Sequence, residues 1–341
     1  RAGTGTVPDT SSQFTYFQFQ SRLKPLLLRL LLLAPLGLLL VGVNYRIDPA
    51  HLFSGGTYER GVAALLARGQ NVTGLTNFDE RLLQKTSIQA LTKRPPVLVL
   101  GSSRVMLIGA PLYAPGTLHN GGVSGGVLED MLAVYGLYTA RGWHPDTLII
   151  GIDPWMFNAN HGQLRWRTLA PEALAMRRQF GATTETEGEL LSNLMPPGST
   201  AAKLSELVSL TYFKECLKTW RAGAKSPGAY QATASPVNDG FTKHPDNSIS
   251  YARTFREQNA DADAREYIAL RPVYSLGNFT ELAPDTRRTL PLLVAHARQH
   301  GAVVRLFLAP YHPLVWDFLR RQPEYQQAAR AETWCRTLAA E

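Results

Sequence analysis

The chain has 341 residues, 45% of them hydrophobic and 18% charged, with a formal net charge of +8. This suits one large or two small globular domains with ample material for a core. The positive charge comes with no zinc knuckle, RNA-binding signature or Lys/Arg-rich run, which argues against a nucleic-acid partner, and the two cysteines, Cys216 and Cys335, lack CxxC partners, which argues against a metal site built on them.

The charge is partly local. Arg1, Arg22, Lys24 and Arg29 face only Asp9 in the first 29 residues. Residues 25–43, PLLLRLLLLAPLGLLLVGV, carry a single charge and are long enough to span a bilayer. The length of this run, with no clean small-residue cleavage site after it, predicts an uncleaved anchor over residues 25–44 rather than a signal peptide. The preceding positive residues place 1–24 in the cytoplasm and everything after Tyr45 outside.

Residues 45–94 read as a helical connector, with amphipathic helices over 58–68 and 79–93, the second ended by Pro95. Then comes Val97-Leu98-Val99-Leu100, too short for a helix and apolar enough for a parallel strand buried on both faces. It stops at Gly101-Ser102-Ser103. A serine at that end of a parallel strand is either a nucleophile, given a base, or a turn serine bonding its own backbone. A Pro/Gly-punctuated connection over 109–119 leads to Asn120-Gly121-Gly122-Val123-Ser124-Gly125-Gly126. A helix over 127–141 and a strand over 147–152 complete a β-α-β unit, and hence parallel strands. Residues 159–283 break the rhythm and read as an insertion beside the site, with a helix at 200–222 and a Gly/Ser/Pro/Asn-rich loop at 224–250. A helix over 285–300, kinked or delayed by Pro291, a strand over 302–308 and a helical segment over 322–341 follow. The α/β domain is thus expected over 95–341.

Nucleotide motifs fail on spacing: 120–126 contains no G-x-G-x-x-G, and no P-loop exists. The elbow G-x-S-x-G fails because Val105 holds its last position. What remains is three short motifs at strand ends: Gly101-Ser102-Ser103, Asn120 to Gly125, and Gly151-Ile152-Asp153.

In this order and spacing the motifs resemble those of the SGNH/GDSL hydrolase family, over about residues 95–160 and extending to 285–341. VLVLGSS stands for the block ending Gly-Asp-Ser, with Ser102 replacing the aspartate. NGGVSG matches Asn-x-x-x-x-Gly, and Gly151-Ile152-Asp153-Pro154 stands for Gly-x-Asn-Asp. The anchor and the Gly-Ser-Ser variant are most similar to the envelope branch, which includes the D-alanyl transfer protein of the Dlt system and the partners of polysaccharide O-acetyltransferases. The resemblance implies an α/β three-layer sandwich with a parallel central sheet, preceded by one transmembrane helix. It implies Ser103 as nucleophile, the N–H groups of Ser103 and Gly125 as oxyanion donors, and Ser102, Asn120 and Asp153 in support. It implies no cofactor and no metal.

An ionised Asp153 only accepts hydrogen bonds, so it cannot replace the family's asparagine donor. It either holds Arg104, orients a base, or caps the turn before Pro154; Asn158 and Trp155 are other donors nearby. The base is the larger difficulty. The only D-x-x-H is Asp48-Pro49-Ala50-His51, which reads as a juxtamembrane turn. His312, after the last strand, is a substitute base, a substrate contact or an exposed loop histidine. The family's terminal Asp-x-x-His is expected beyond Glu341, so the chain reads as truncated. Two function classes remain. One is an anchored extracytoplasmic O-acyl esterase or acyltransferase acting on a cell-envelope glycan or related acylated polymer. The other is a non-catalytic relative that binds glycan or a membrane-bound O-acyltransferase.

Overall fold

A computed structural model describes residues 34–49, 52, 53, 55–109, 112–182, 200–221 and 230–340. The chain divides into two compact units: Arg1–Pro49 with Thr200–Pro227, and Ala50–Ser199 with Gly228–Glu341.

The larger unit runs, in chain order, α1 (Thr57–Ala67), β1 (Asn71–Thr73), α2 (Glu80–Ala90), β2 (Val97–Leu100), β3 (Leu118–Asn120), α3 (Leu128–Thr139), β4 (Thr147–Ile152) and α4 (Ala170–Gln179). After the smaller unit's segment come β5 (Gln231–Thr233), β6 (Thr242–Lys243), β7 (Ile249–Ser250), α5 (Ala260–Ala269), α6 (Pro284–Gln299), β8 (Val303–Leu308), α7 (Pro313–Arg321) and α8 (Gln326–Ala340). The class is α/β. The central sheet has the order β3-β2-β4-β8, and all its pairs are parallel. Leu98 lies opposite His119 on one side and Leu148 on the other, and Ile150 opposite Leu306.

The sheet forms because its strands are apolar on both faces, as parallel strands must be when helices pack on them. Leu98, Leu100, Leu148 and Ile150 meet Leu132 and Tyr135 of α3 and Leu293 and Val294 of α6, all at most 3% exposed. Each such buried side chain contributes roughly 1.5–3 kcal/mol. The opposite face carries a smaller cluster of Val99, Val105, Leu118 and Ile149 against Ile108, Tyr113 and Phe307, to which no α-helix contributes among the described residues. Val303 and Arg305 of β8 lie exposed.

The chain leaves β2 for β3 on one side, then crosses through α3 to β4 on the other. The direction of winding therefore reverses at β2. In open parallel sheets a ligand crevice lies at such a switch point, beyond the carboxyl ends of the strands.

The connector and the insertion differ from expectation. Asn71–Thr73, inside the expected helical connector, is the second strand of an antiparallel sheet ordered β5-β1-β6-β7, whose other strands come from the insertion. Val72 is buried among Tyr58, Val62, Leu66 and Leu83 of α1 and α2. The compact unit accordingly begins at Ala50 rather than near residue 95. The insertion is also sewn to the main sheet: Ile249 N–H donates to Met106 O at 2.9 Å and Asn120 N–H to Asp246 O at 2.7 Å. Strands of two or three residues are too short to show alternation, which is why the sequence pattern hides them.

In the smaller unit residues 34–47 are helical. The helix expected over 200–222 is two helices, Thr200–Leu207 and Leu210–Arg221. The break is fixed by Asn44, whose Nδ2 donates to the carbonyls of Glu206, Leu207 and Ser209 at 3.0, 3.0 and 3.1 Å. Ser209 Oγ then accepts the Tyr212 N–H. Among the described residues no helix is long and apolar enough to cross a membrane, and residues 25–33 of the apolar run lie outside them. Both cysteines are free and buried.

Candidate functional site at the carboxyl edge of the sheet

β2 runs into Gly101, whose φ of 152° belongs to glycine; a Cβ there would lie 2.9 Å from Val105 and 3.1 Å from Gly151 O. The chain turns so tightly that the next residues form a single 3₁₀ turn, Ser103–Val105, capped by Ser102. Ser102 Oγ accepts the Arg104 N–H at 3.2 Å and donates to Asp153 Oδ2 at 2.5 Å. Both Ser102 and Asp153 are only 2% exposed. The other carboxylate oxygen of Asp153 accepts from Arg104 Nη1 at 2.7 Å. Arg104 Nη2 reaches the carbonyls of Ala309 and Pro310, each at 2.7 Å, and the guanidinium lies 4.2 Å from the Tyr311 ring centre. One arginine thus ties the ends of β2, β4 and β8 together.

Ser103 stands apart from this knot. It is half-buried, and among the described residues neither its hydroxyl nor its N–H has a protein partner. The two adjacent serines therefore differ physically: one is spent in the fold and the other is available.

Asn120 is also spent. Its Nδ2 donates to Val105 O and Ile108 O at 2.8 and 2.7 Å, and its Oδ1 accepts from Gly122 N–H, so it pins the Ser103 turn to the glycine loop. Glu80 holds that loop from behind, accepting the Ser124 N–H and hydroxyl at 2.5 and 2.8 Å. Gly125 has φ 59°, and a Cβ there would sit 3.0 Å from both Gln163 Oε1 and Tyr274 Oη. Its N–H has no acceptor among the described residues. Gln163 donates to Tyr274 Oη at 3.0 Å, and Trp155 packs edge-on against Tyr274 and His161.

The electrostatics favour neutral donors around a fixed ion pair. Burial pushes the Tyr267 hydroxyl up to about 12, with Arg104 opposing and Asp153 adding to the rise. Burial likewise pushes the Tyr311 hydroxyl far above its ordinary value, against Arg104. Both phenols are protonated at neutral pH. Burial lowers the His161 imidazole, and its Nδ1 accepts the Gln163 N–H at 2.9 Å, which leaves the proton of the neutral ring on Nε2.

His312, the expected substitute base, makes no hydrogen bond to Ser103 among the described residues. His312 does follow β8 at the same edge of the sheet, but it caps α7: its Nδ1 accepts the Leu314 N–H at 3.4 Å, and its Nε2 lies 3.2 Å from Asp261 Oδ1. Asn158 is 1% exposed and its Nδ2 is used on Ser275 O and Gly277 O, so it is not a free donor. Asp48 accepts from Tyr212 Oη at 2.6 Å in the smaller unit, and His51 lies outside the described residues. Sequence reasoning missed Glu80, Gln163, Tyr267, Tyr274 and Tyr311. Only Arg104 carried a signal, by its place directly after the serines.

The edge thus offers one available serine, two unoccupied backbone donors and a rim of neutral phenols and amides. It provides no base in hydrogen-bond contact with Ser103 among the described residues. Comparison with protein-family models, with curated proteins and with solved structures finds no match for this chain.

Proposed function

We propose that the chain is an SGNH-like, membrane-anchored, extracytoplasmic O-acyl esterase or acyltransferase acting on a cell-envelope polysaccharide or related polymer. Ser103 is its nucleophile. One observation carries the reading: the winding reverses at β2, so Gly101-Ser102-Ser103 lies at the switch point with Ser102 engaged by Asp153 and Ser103 without a partner among the described residues. Attack of Ser103 Oγ on an acyl carbonyl makes a tetrahedral oxyanion, and the N–H groups of Ser103 and Gly125 are the donors assigned to it. Removal of one such donor typically costs about 2.7–4 kcal/mol of barrier. The three-layer arrangement of the family belongs to the proposal, as does a membrane-bound O-acyltransferase as partner. The anchor over 25–44 is supported by helical residues 34–47, along which Leu36, Leu38 and Leu39 are exposed.

A second reading, a non-catalytic relative that binds glycan or a membrane acyltransferase through the same edge, is favoured by the His312 geometry and by the acceptor Asp153 at the expected donor position. Covalent labelling by a serine-directed phosphonate separates the two. Labelling of the full-length protein and of its Ser102→Ala variant, but not of its Ser103→Ala variant, is expected. Equal labelling of Ser103→Ala overturns the assignment of the nucleophile. An unlabelled full-length protein that still binds envelope glycan supports the second reading.

A further inference from the structure

The helix Leu210–Arg221 has three stripes. Tyr212 and Cys216, four residues apart, are buried within the smaller unit. Leu210, Phe213, Leu217 and Trp220 follow at helical spacing on a second stripe, with Leu210 67% and Trp220 71% exposed and the two between them half-buried. Lys214, Lys218 and Arg221 form the third stripe, directly beside the second, and all are exposed. Leu204 and Val208, just before this helix, are exposed as well. An apolar stripe ending in tryptophan and flanked by basic residues is the pattern of a helix lying in the plane of a membrane interface.

The position of this helix agrees with its pattern. Asn44, near the end of helical residues 34–47, holds the turn between the two helices through three carbonyl bonds, and Tyr212 Oη bonds Asp48 just beyond. The stripe is therefore tethered to the end of the apolar run that begins at Pro25, the level at which a spanning segment leaves the bilayer. Arg46, also exposed there, adds a further cation.

We propose that helix Leu210–Arg221 docks on the lipid bilayer beside the anchor, with Leu210, Phe213, Leu217 and Trp220 in the acyl–headgroup boundary and Lys214, Lys218 and Arg221 on anionic headgroups. The inference rests on the anchor reading. Its effect is to hold the smaller unit on the membrane surface.

The test uses the full chain in phosphatidylcholine/phosphatidylglycerol vesicles, with lipids brominated either just below the headgroup or deep in the acyl chain. The difference in emission between the native chain and Trp220→Phe isolates Trp220. That component is expected to be quenched several-fold more by shallow than by deep bromines. Lys214→Glu/Lys218→Glu/Arg221→Glu is expected to lose most of the quenching. Flotation after a carbonate wash reads the anchor independently. A chain that floats but whose Trp220 is unquenched overturns the docking and leaves the anchor standing; burial of Trp220 against a second copy of the chain gives that result. A chain that does not float overturns the anchor and the docking with it.

Discussion

Adjacent serines become different residues once their partners are counted. Ser102 lies in a knot with Asp153 and Arg104, while Ser103 keeps its hydroxyl free among the described residues. Their order in the motif distinguished them in the sequence; their partners did not, because Asp153 lies 51 positions away. That Asp153 holds Arg104 was one of three open alternatives, and only the meeting of β2, β4 and β8 selects it. His119 shows a further property invisible in sequence. It is fully buried, its Nε2 lies 3.0 Å from Gln84 Oε1, and its Nδ1 has no partner among the described residues. Burial, helped by Lys243, lowers its pKa to about 4. An unfolded histidine titrates near 6.5, so between about 6.5 and 4 the unfolded chain binds a proton that the folded chain refuses. Stability therefore falls as pH drops through that window. The loss from this group is about 2 kcal/mol at pH 5 relative to pH 7. Urea unfolding at the two pH values is expected to show a difference smaller by about that amount in His119→Gln. An unchanged difference shows that His119 takes up its proton in the folded protein as readily as in the unfolded chain.

Elements were legible where they were long. The apolar periodicity of α1, α2 and α6 is visible because each buries one stripe over three turns or more, while α3 is apolar and buried almost all round. The helix α7 was hidden by His312-Pro313, read as a loop although proline is at home in a first helical turn. How elements clasp each other is a matter of single buried groups. Arg81 of α2 reaches Asp130 of α3 with Nε and Nη2 at 2.9 and 3.0 Å, and both side chains are nearly inaccessible. Asp130 also accepts the Val127 N–H, which starts α3 directly after the glycine loop. Arg81→Leu strands a buried carboxylate, and is expected to cost about 3–5 kcal/mol. Replacing both partners by Arg81→Leu/Asp130→Leu is expected to recover part of that. Denaturant unfolding of the two variants decides: equal losses mean that packing, not the unpaired charge, is responsible.

At the scale of the whole molecule, the parallel strands at 97–100, 147–152 and 303–308 and their common carboxyl edge follow from their apolar runs and from the crossover between them. The antiparallel second sheet and the division into two units do not, since both depend on contacts between residues about 160 positions apart. The orientation proposed for the chain in a membrane rests on the basic residues before position 25. It is open to a direct measurement because the native cysteines are poor targets: Cys216 and Cys335 are 0% and 1% exposed. Gln70, in the exposed turn between α1 and β1, belongs to the larger unit, so Gln70→Cys reports on the side where the serine edge lies. In intact cells a membrane-impermeant maleimide is expected to label Gln70→Cys as fully before lysis as after it, with little background from the native chain. Labelling that appears only after lysis places the larger unit in the cytoplasm. An envelope polymer would then be beyond the reach of Ser103, whatever its chemistry.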